Sequence, residues 1–402
     1  MTITLNGRTL PASAATPPYP KTERQAEFIA LGDRMAEIAA AQADAHDRDN
    51  TFPHDTFDAL RDSGYLALTV PEEFGGQGAS PLELMLAQER LARGSGGVAL
   101  GAAMHLSIVG GLAENRLWPS DLFARFSREV VAKGALVNSA ASEPDLGSPS
   151  RGGAFSTVAK WTPDGWLING RKSWTTLSPR LSYAITQLTT EEEGGSIGPG
   201  HILVPMDTPG VTVDLGTWDN MSMRASGSND VIFEEALVPH EYRLPGAPKL
   251  AQAGANGWSL ITSAVYLGLA TAARDFVVQY AQERVPSGLG APIATLQNIQ
   301  HRIAQIEILL LQSRSALYST IETFEQYPEH REAIAWQFPA AKYAVTNNAI
   351  QITDLALRVT GSPGLLKKYP LERYFRDVRA GLGNPPMDDV ALTLIGKQAL
   401  GV

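Results

Sequence analysis

Apolar positions follow two different rhythms along this chain, and the change of rhythm marks its organisation. From Thr22 to about Asp47 the chain is rich in Ala, Glu and Gln, with Phe28, Ile29, Met35 and Ile38 at helical spacing. Asp49 or Thr51 is placed to cap a second helix, Pro53 to about Ser63, with proline in its first turn. Gly64–Gly78 breaks the pattern, and Ser80-Pro81 opens a helix to about Ala92. Val98–Leu112, rich in Ala, Gly and Leu, suits a buried helix packed closely on its neighbours. Near Lys133 the rhythm becomes short alternating or β-branched runs, such as Ala154–Lys160, Tyr183–Leu188 and Asp230–Glu234, separated by turn residues. This spacing predicts an antiparallel barrel or sandwich, and Asn169-Gly170 is a type I′ hairpin signal. Helical spacing returns over Ser259–Arg284, Ala294–Thr323, Arg331–Val359, Leu371–Val378 and Asp388–Leu400.

The expected fold is therefore α+β and mainly α. A loose arm over 1–20 precedes an N-terminal helical domain over 21–132, a β domain over 133–245 and a four-helix-bundle-like domain over 246–402. The length of 402 residues allows such domains to share large cores. A net charge of -9 argues against nucleic acid and anionic membrane surfaces as partners. No uninterrupted apolar run reaches the roughly 20 residues a membrane span needs, and the N-terminus lacks a secretory pattern. Zero cysteines remove thiolate nucleophiles, iron–sulfur clusters and cysteine zinc sites, and fit a cytoplasmic enzyme. Seven histidines without ligand spacing give no metal site, and neither a Gly-x-Ser-x-Gly elbow nor a Walker loop occurs.

Five segments remain as candidate chemistry: Ala141-Ser-Glu-Pro-Asp-Leu-Gly-Ser148, Gly170-Arg-Lys-Ser-Trp-Thr-Thr-Leu-Ser178, Met223–Pro239, the dispersed set Glu283-Arg284, Leu296-Gln-x-x-Gln300 and Gly361-Ser-Pro-Gly364, and Tyr369–Asp377. Read singly, each has a plain structural alternative: a loop or N-cap, a core tryptophan, a closing strand, a helix C-cap. In this order and in these textures they closely resemble the acyl-CoA dehydrogenase family, a group of FAD enzymes, over nearly the whole chain.

The resemblance implies that Ser142 and Ser148 lie along the flavin, that Trp174 covers one edge of its ring and that Thr176 hydrogen-bonds N5. A flavin ring needs backbone donors and small hydroxyl side chains near N1, O2 and N5. It also implies that Arg284, Gln297 and Gly361 serve the dinucleotide. Arginine pairs with phosphate bidentately, and a glycine turn allows close backbone approach. In the family the glutamines and the turn come from a neighbouring subunit, which implies a homo-oligomer, a tetramer or dimer. Arg224 and Ser226 are further residues that would face the cleft.

One position departs from the family. Where most members carry a glutamate base, this chain has Pro385, and the alternative site on the first helix after the β domain has Trp258 or Ser259. Asp388 is the nearest acid, either as an unorthodox base or as a helix N-terminal residue favoured by the macrodipole. The favoured expectation is an FAD-dependent oxidoreductase acting on a CH–CH bond of an acyl or acyl-CoA-like substrate, passing electrons to an electron-transfer flavoprotein. The alternative is a two-component monooxygenase using reduced flavin and oxygen, supplied by a flavin reductase, with FMN in place of FAD as an option. There Asn384 occupies the loop where such enzymes carry histidine, and His105, if it faced the flavin, would handle a proton. A lone histidine on an apolar helix also suits a plain core role. A non-catalytic flavin-binding paralogue is the third reading.

Overall fold

The computed structural model describes residues 2–5, 8–11, 19–146, 154–245 and 256–402. Its elements, in order, are strands β1 (Thr2–Leu5) and β2 (Arg8–Pro11), and helices α1 (Glu23–Asp49), α2 (His54–Asp62), α3 (Pro81–Gly94), α4 (Gly96–Asn115) and α5 (Ser120–Lys133). Strands β3 (Val137–Ala140), β4 (Val158–Thr162), β5 (Gly165–Lys172), β6 (Tyr183–Glu191), β7 (Ile197–Pro205), β8 (Val211–Asp214), β9 (Asp230–Val238) and β10 (Arg243–Leu244) follow. Helices α6 (Ile261–Glu283), α7 (Gln297–Gln326), α8 (Gln337–Thr360), α9 (Leu371–Asp377) and α10 (Asp388–Leu400) complete the chain. The α+β, mainly helical class holds, with an eight-stranded sheet in the middle of the chain.

Contacts gather the chain into two compact units. The first comprises Met1–Asp44, Pro81–Ala99 and Gly254–Val402; the second comprises Ala45–Ser80 and Leu100–Ala253. Long apolar helices build the first. Gly268 of α6 lies so close to α3 that an added Cβ would stand 2.3 Å from the Glu89 carbonyl oxygen, so only glycine permits this crossing. Beside it, Glu89 is buried and satisfied by Arg314 Nη2 at 2.6 Å and the Tyr318 hydroxyl at 2.6 Å. A buried carboxylate needs such pairing to remain charged. The apolar stretches Gly96–Asn115 and Gly257–Glu283 are long enough to cross a bilayer, but 72% of each one's most apolar window is buried within the protein.

In the second unit the sheet runs β10-β7-β6-β4-β5-β9-β8, with β3 beside β6. Alternation is plain along β6, where Ala184, Thr186, Leu188 and Thr190 are buried and their neighbours half-exposed. Trp166, Ile168, Ile202, Val204, Phe233 and Val238 form the core on the sheet. Most pairings are antiparallel as expected, but β3 and β4 each run parallel to β6. Asn169-Gly170 is not a hairpin. The β4–β5 turn is Pro163-Asp164, between paired Thr162 and Gly165. Asn169 instead serves a bulge, where the β5–β9 register shifts between Ile168 and Gly170 and Asn169 Oδ1 accepts from the Glu235 N–H at 2.9 Å. Glycine is required next to it, since Gly170 has φ 142 and a Cβ there would stand 2.6 Å from Thr157 Cα. The same local freedom that favours Asn-Gly in a hairpin favours it at a bulge.

Candidate functional site

The flavin-edge candidates all belong to the second unit, and the fold brings their segments together. Strand β5 ends at Lys172, and the chain turns into Ser173–Ser178. The Ser173 N–H donates to the Ser142 carbonyl at 2.9 Å, which joins the first motif to the second. Beneath this contact lies a buried ion pair. Lys172 Nζ is 2.7 Å from Glu143 Oε1, with side-chain exposures of 0% and 2%. Glu143 also accepts from the Ser156 N–H at 2.7 Å, the Ser156 hydroxyl at 2.7 Å and the Thr157 N–H at 3.0 Å. Burial raises its pKa, but the Lys172 ammonium and the three further donors outweigh burial and hold the carboxyl at about 2. The ammonium also lies 4.3 Å from the centre of the Phe155 ring.

Two residues after the pair's lysine, Trp174 has φ 57, a conformation disfavoured for a bulky residue, and is 63% exposed. It meets Trp218 edge-on at 5.2 Å, and Trp218 is fixed through its Nε1–H to the Arg224 carbonyl at 3.1 Å. A strained backbone that presents an indole to the outside is a feature of a binding surface, not of a core. Thr176 is buried, its carbonyl accepting from Asn138 Nδ2 at 2.9 Å and its Oγ1 lying 2.8 Å from Ser228 Oγ. Ser173 Oγ and Thr175 Oγ1 are buried with no hydrogen-bond partner among the described residues, which leaves this loop with unused hydrogen-bonding capacity there. Trp174 and Thr176 thus share one loop, and Ser142 meets it through its carbonyl; Ser148 lies outside the described residues.

Residues 174–178 rest on the 226–229 turn, with the Leu177 N–H donating to the Ser226 carbonyl at 3.0 Å and the Thr175 N–H to the Asn229 carbonyl at 3.2 Å. Arg224 is spent on structure, donating through Nε to the Asp47 carbonyl at 2.6 Å and through Nη1 to the Asn220 carbonyl at 2.9 Å. His105 is fully buried and both ring nitrogens are committed. Leu66 O accepts from Nε2 at 3.0 Å, and the Val137 N–H donates to Nδ1 at 3.2 Å. This fixes the neutral tautomer, and burial lowers its pKa to about 4. Its geometry ties β3 to the turn at Leu66 and leaves no nitrogen for a ligand.

The remaining candidates belong to the first unit. Asp388 opens α10, with Oδ2 accepting from Asn347 Nδ2 at 3.0 Å and Oδ1 3.5 Å from Lys342 Nζ. That contact is an ion pair without a geometric hydrogen bond, since neither Lys342 Nζ nor Asp388 Oδ1 has a hydrogen-bond partner among the described residues. Burial lowers the pKa of Lys342, while Asp388 opposes the shift. Asn384 donates to the Tyr266 hydroxyl at 2.6 Å. Pro385, Pro386 and Met387 between them carry no titratable group. Trp258 is buried, and Ser259 Oγ donates to the Asn256 carbonyl at 2.7 Å. Arg284, Gln297 and Gly361 are exposed at helix ends, with Gly361 at φ 64 after α8. Arg284 forms no side-chain ion pair among the described residues.

Sequence reading did not assign Glu143, Lys172, Ser228 or Lys342. Each carried a signal: a charged or hydroxyl residue embedded in an apolar strand or helix face demands a partner.

Helices before and after a central sheet, with an exposed indole and buried hydroxyls on one loop, are features that suit a flavin-dependent oxidoreductase. The family models agree. The acyl-CoA dehydrogenase N-terminal, middle and C-terminal domains match residues 22–115, 138–236 and 250–384. The chain belongs to the acyl-CoA dehydrogenase family. It is 38% identical to the putative acyl-CoA dehydrogenase YdbM of Bacillus subtilis (strain 168), over 94% of this chain and 98% of that protein. It is 30% identical to the amino sugar nitrososynthase DnmZ of Streptomyces peucetius, over 90% of each. Among solved structures, KijD3 in complex with FMN and a dTDP-linked amino sugar superposes with a TM-score of 0.82 at 28% identity, covering 95% of each chain.

Proposed function

We propose that this protein is a flavin-dependent monooxygenase that receives reduced flavin from a separate reductase and inserts oxygen into a small amine-bearing substrate. The observation that carries this reading is the segment Asn384–Met387. Dehydrogenation of an acyl thioester needs a carboxylate free to take an α-proton. Pro385 stands at that position, and the nearest acid, Asp388, is engaged by Asn347 and Lys342. The similarity to DnmZ and KijD3, an amino sugar nitrososynthase and a protein seen with FMN and an amino sugar nucleotide, supports oxygen chemistry on an amine and FMN beside FAD as cofactor.

When bound, the flavin supplies the redox chemistry. This chain's residues would do the rest. Ser142 and Thr176 would hold the ring edge through hydrogen bonds and Trp174 would shield it from water, while the Lys172–Glu143 pair keeps both segments in register. Gln297 and Gly361, exposed at helix ends, would serve a second copy of the chain as the family resemblance implies, and Arg284 would meet a phosphate.

A second reading, dehydrogenation of an acyl-CoA-like substrate with Asp388 as base, draws on the similarity to YdbM and on the unbonded Asp388 Oδ1. Anaerobic titration of the oxidised holoprotein with an acyl-CoA panel separates the two. The monooxygenase reading expects no bleaching of the flavin. Bleaching that disappears in Asp388→Asn would establish the second reading instead.

A further inference from the structure

Thr176, Ser228 and Ser226 form a line of hydroxyls. Thr176 Oγ1 is 2.8 Å from Ser228 Oγ, and Ser228 Oγ is 2.8 Å from Ser226 Oγ. All are buried, at 9%, 5% and 0% exposure, and no other side-chain partner occurs for any of them among the described residues. Each hydroxyl carries one proton and can accept as well as donate. A buried proton without an acceptor is costly, whereas a free lone pair is tolerated. That asymmetry fixes the direction of the line. The Ser226 proton has only Ser228 Oγ to go to. With that contact filled from the Ser226 side, the Ser228 proton has only Thr176 Oγ1. The Thr176 proton is then the one left without an acceptor inside the protein. The opposite direction would strand the Ser226 proton in a fully buried place.

We propose that Ser228 polarises Thr176 so that it is a hydrogen-bond donor, not an acceptor, toward the group bound at the Trp174–Thr176 loop. For a flavin, this favours N5 when it can accept, in the oxidised ring, over N5 when it carries a hydrogen, in the reduced ring. The inference rests on the assignment of Thr176 to the flavin edge and is independent of which reaction follows. Ser228 is a positioning residue here, because it acts through Thr176. The turn that holds it is closely packed and hydrogen-bonded. Gly227 has φ 55 and packs against Phe52 and Pro179, Ser178 Oγ donates to the Gly227 carbonyl at 3.0 Å, and the Asn229 N–H donates to Ser178 Oγ at 3.2 Å.

The test compares affinities of the full-length protein for oxidised FMN and FAD and for the same flavins reduced anaerobically with dithionite. In Ser228→Ala the Thr176 hydroxyl is free to turn and accept, so the ratio of oxidised to reduced affinity should fall by about fivefold, the loss of one neutral hydrogen bond's preference. Ser228→Thr keeps the hydroxyl and should keep the ratio. Ser226→Ala should also keep it within about twofold, since the Ser228 proton still has only Thr176 as acceptor. An unchanged ratio in Ser228→Ala, with only thermal stability altered, overturns the proposal. An equal shift in Ser226→Ala would overturn it as well, by showing that loosened packing of the turn is the cause. Thr176→Val distinguishes the underlying assignment: if it changes neither affinity, Thr176 does not face the flavin and the proposal falls with that assignment. If it shifts the ratio while Ser228→Ala does not, only the polarising role falls.

Discussion

Replacing Lys172 with methionine isolates the ion pair that joins the two flavin-edge segments. The substitution nearly preserves volume and removes the cation that, among the described residues, faces Glu143. The carboxylate keeps the Ser156 and Thr157 donors but remains in a site that is 4% exposed. A shift from 4.5 to about 2 corresponds to about 3 kcal/mol of preference for the ionised form in the folded protein. That agrees with the roughly 3–5 kcal/mol lost when one partner of a buried pair is removed. We therefore expect Lys172→Met to lower stability at pH 7 by about 3 kcal/mol. The sign with pH follows from linkage. A carboxyl with a depressed folded pKa adds stability that is complete above its unfolded value of 4.5 and is lost as pH falls toward about 2. In Lys172→Met the folded pKa rises, so that acid-dependent loss shrinks and the two proteins converge at low pH. Urea unfolding at pH 7 and in steps down to about pH 3, the range linkage assigns to this carboxyl, measures both effects. A loss under about 1 kcal/mol at pH 7, or a constant gap between the proteins across the range, would refute the buried-pair argument. Double replacement of Lys172 by Met and Glu143 by Leu should recover part of the loss, because no uncompensated charge remains.

His105→Leu should cost about 2–4 kcal/mol, since it strands the Val137 N–H and the Leu66 carbonyl in the core, and chemical denaturation measures it. With its pKa lowered to about 4, His105 leaves activity without an ionisation of its own between pH 5 and 8; its pH signature is in stability, which falls as pH drops from 6.5 toward 4 because the unfolded chain takes up the proton first. Gly170→Ala should destabilise by more than about 2 kcal/mol, seen as a lower melting temperature, because φ 142 and the nearby Thr157 backbone both oppose a side chain. Trp174→Ala removes an exposed side chain, so stability should change by under about 1 kcal/mol while flavin affinity falls about tenfold, read by equilibrium titration.

Much of this was legible before the structure. Alternation along Tyr183–Glu191 reports a half-buried strand directly, and the helical spacing after Pro245 reports the bundle. The hydroxyls beside Trp174 were visible as chemistry because they interrupt a pattern that a core strand would fill with apolar residues. What was not legible depends on register. That Lys172 meets Glu143, 29 residues away, follows from how β5 ends beside the Ser142 segment, and no local pattern encodes that meeting. Asn169-Gly170 misled for a related reason, as its dihedral freedom is needed equally by a turn and a bulge, and only the partner strand decides. The direction of the Thr176–Ser228–Ser226 line required counting acceptors in three dimensions.

The reaction itself is tested most directly with isotopic oxygen. The protein, supplied with enzymatically reduced FMN or FAD, a panel of amines and 18O2, is analysed for label in the organic product by mass spectrometry. One labelled oxygen is expected in the product of an accepted amine, dependent on both the protein and the reductase. Oxygen recovered only as hydrogen peroxide, together with anaerobic reduction of the bound flavin by an acyl-CoA, would contradict the monooxygenase reading.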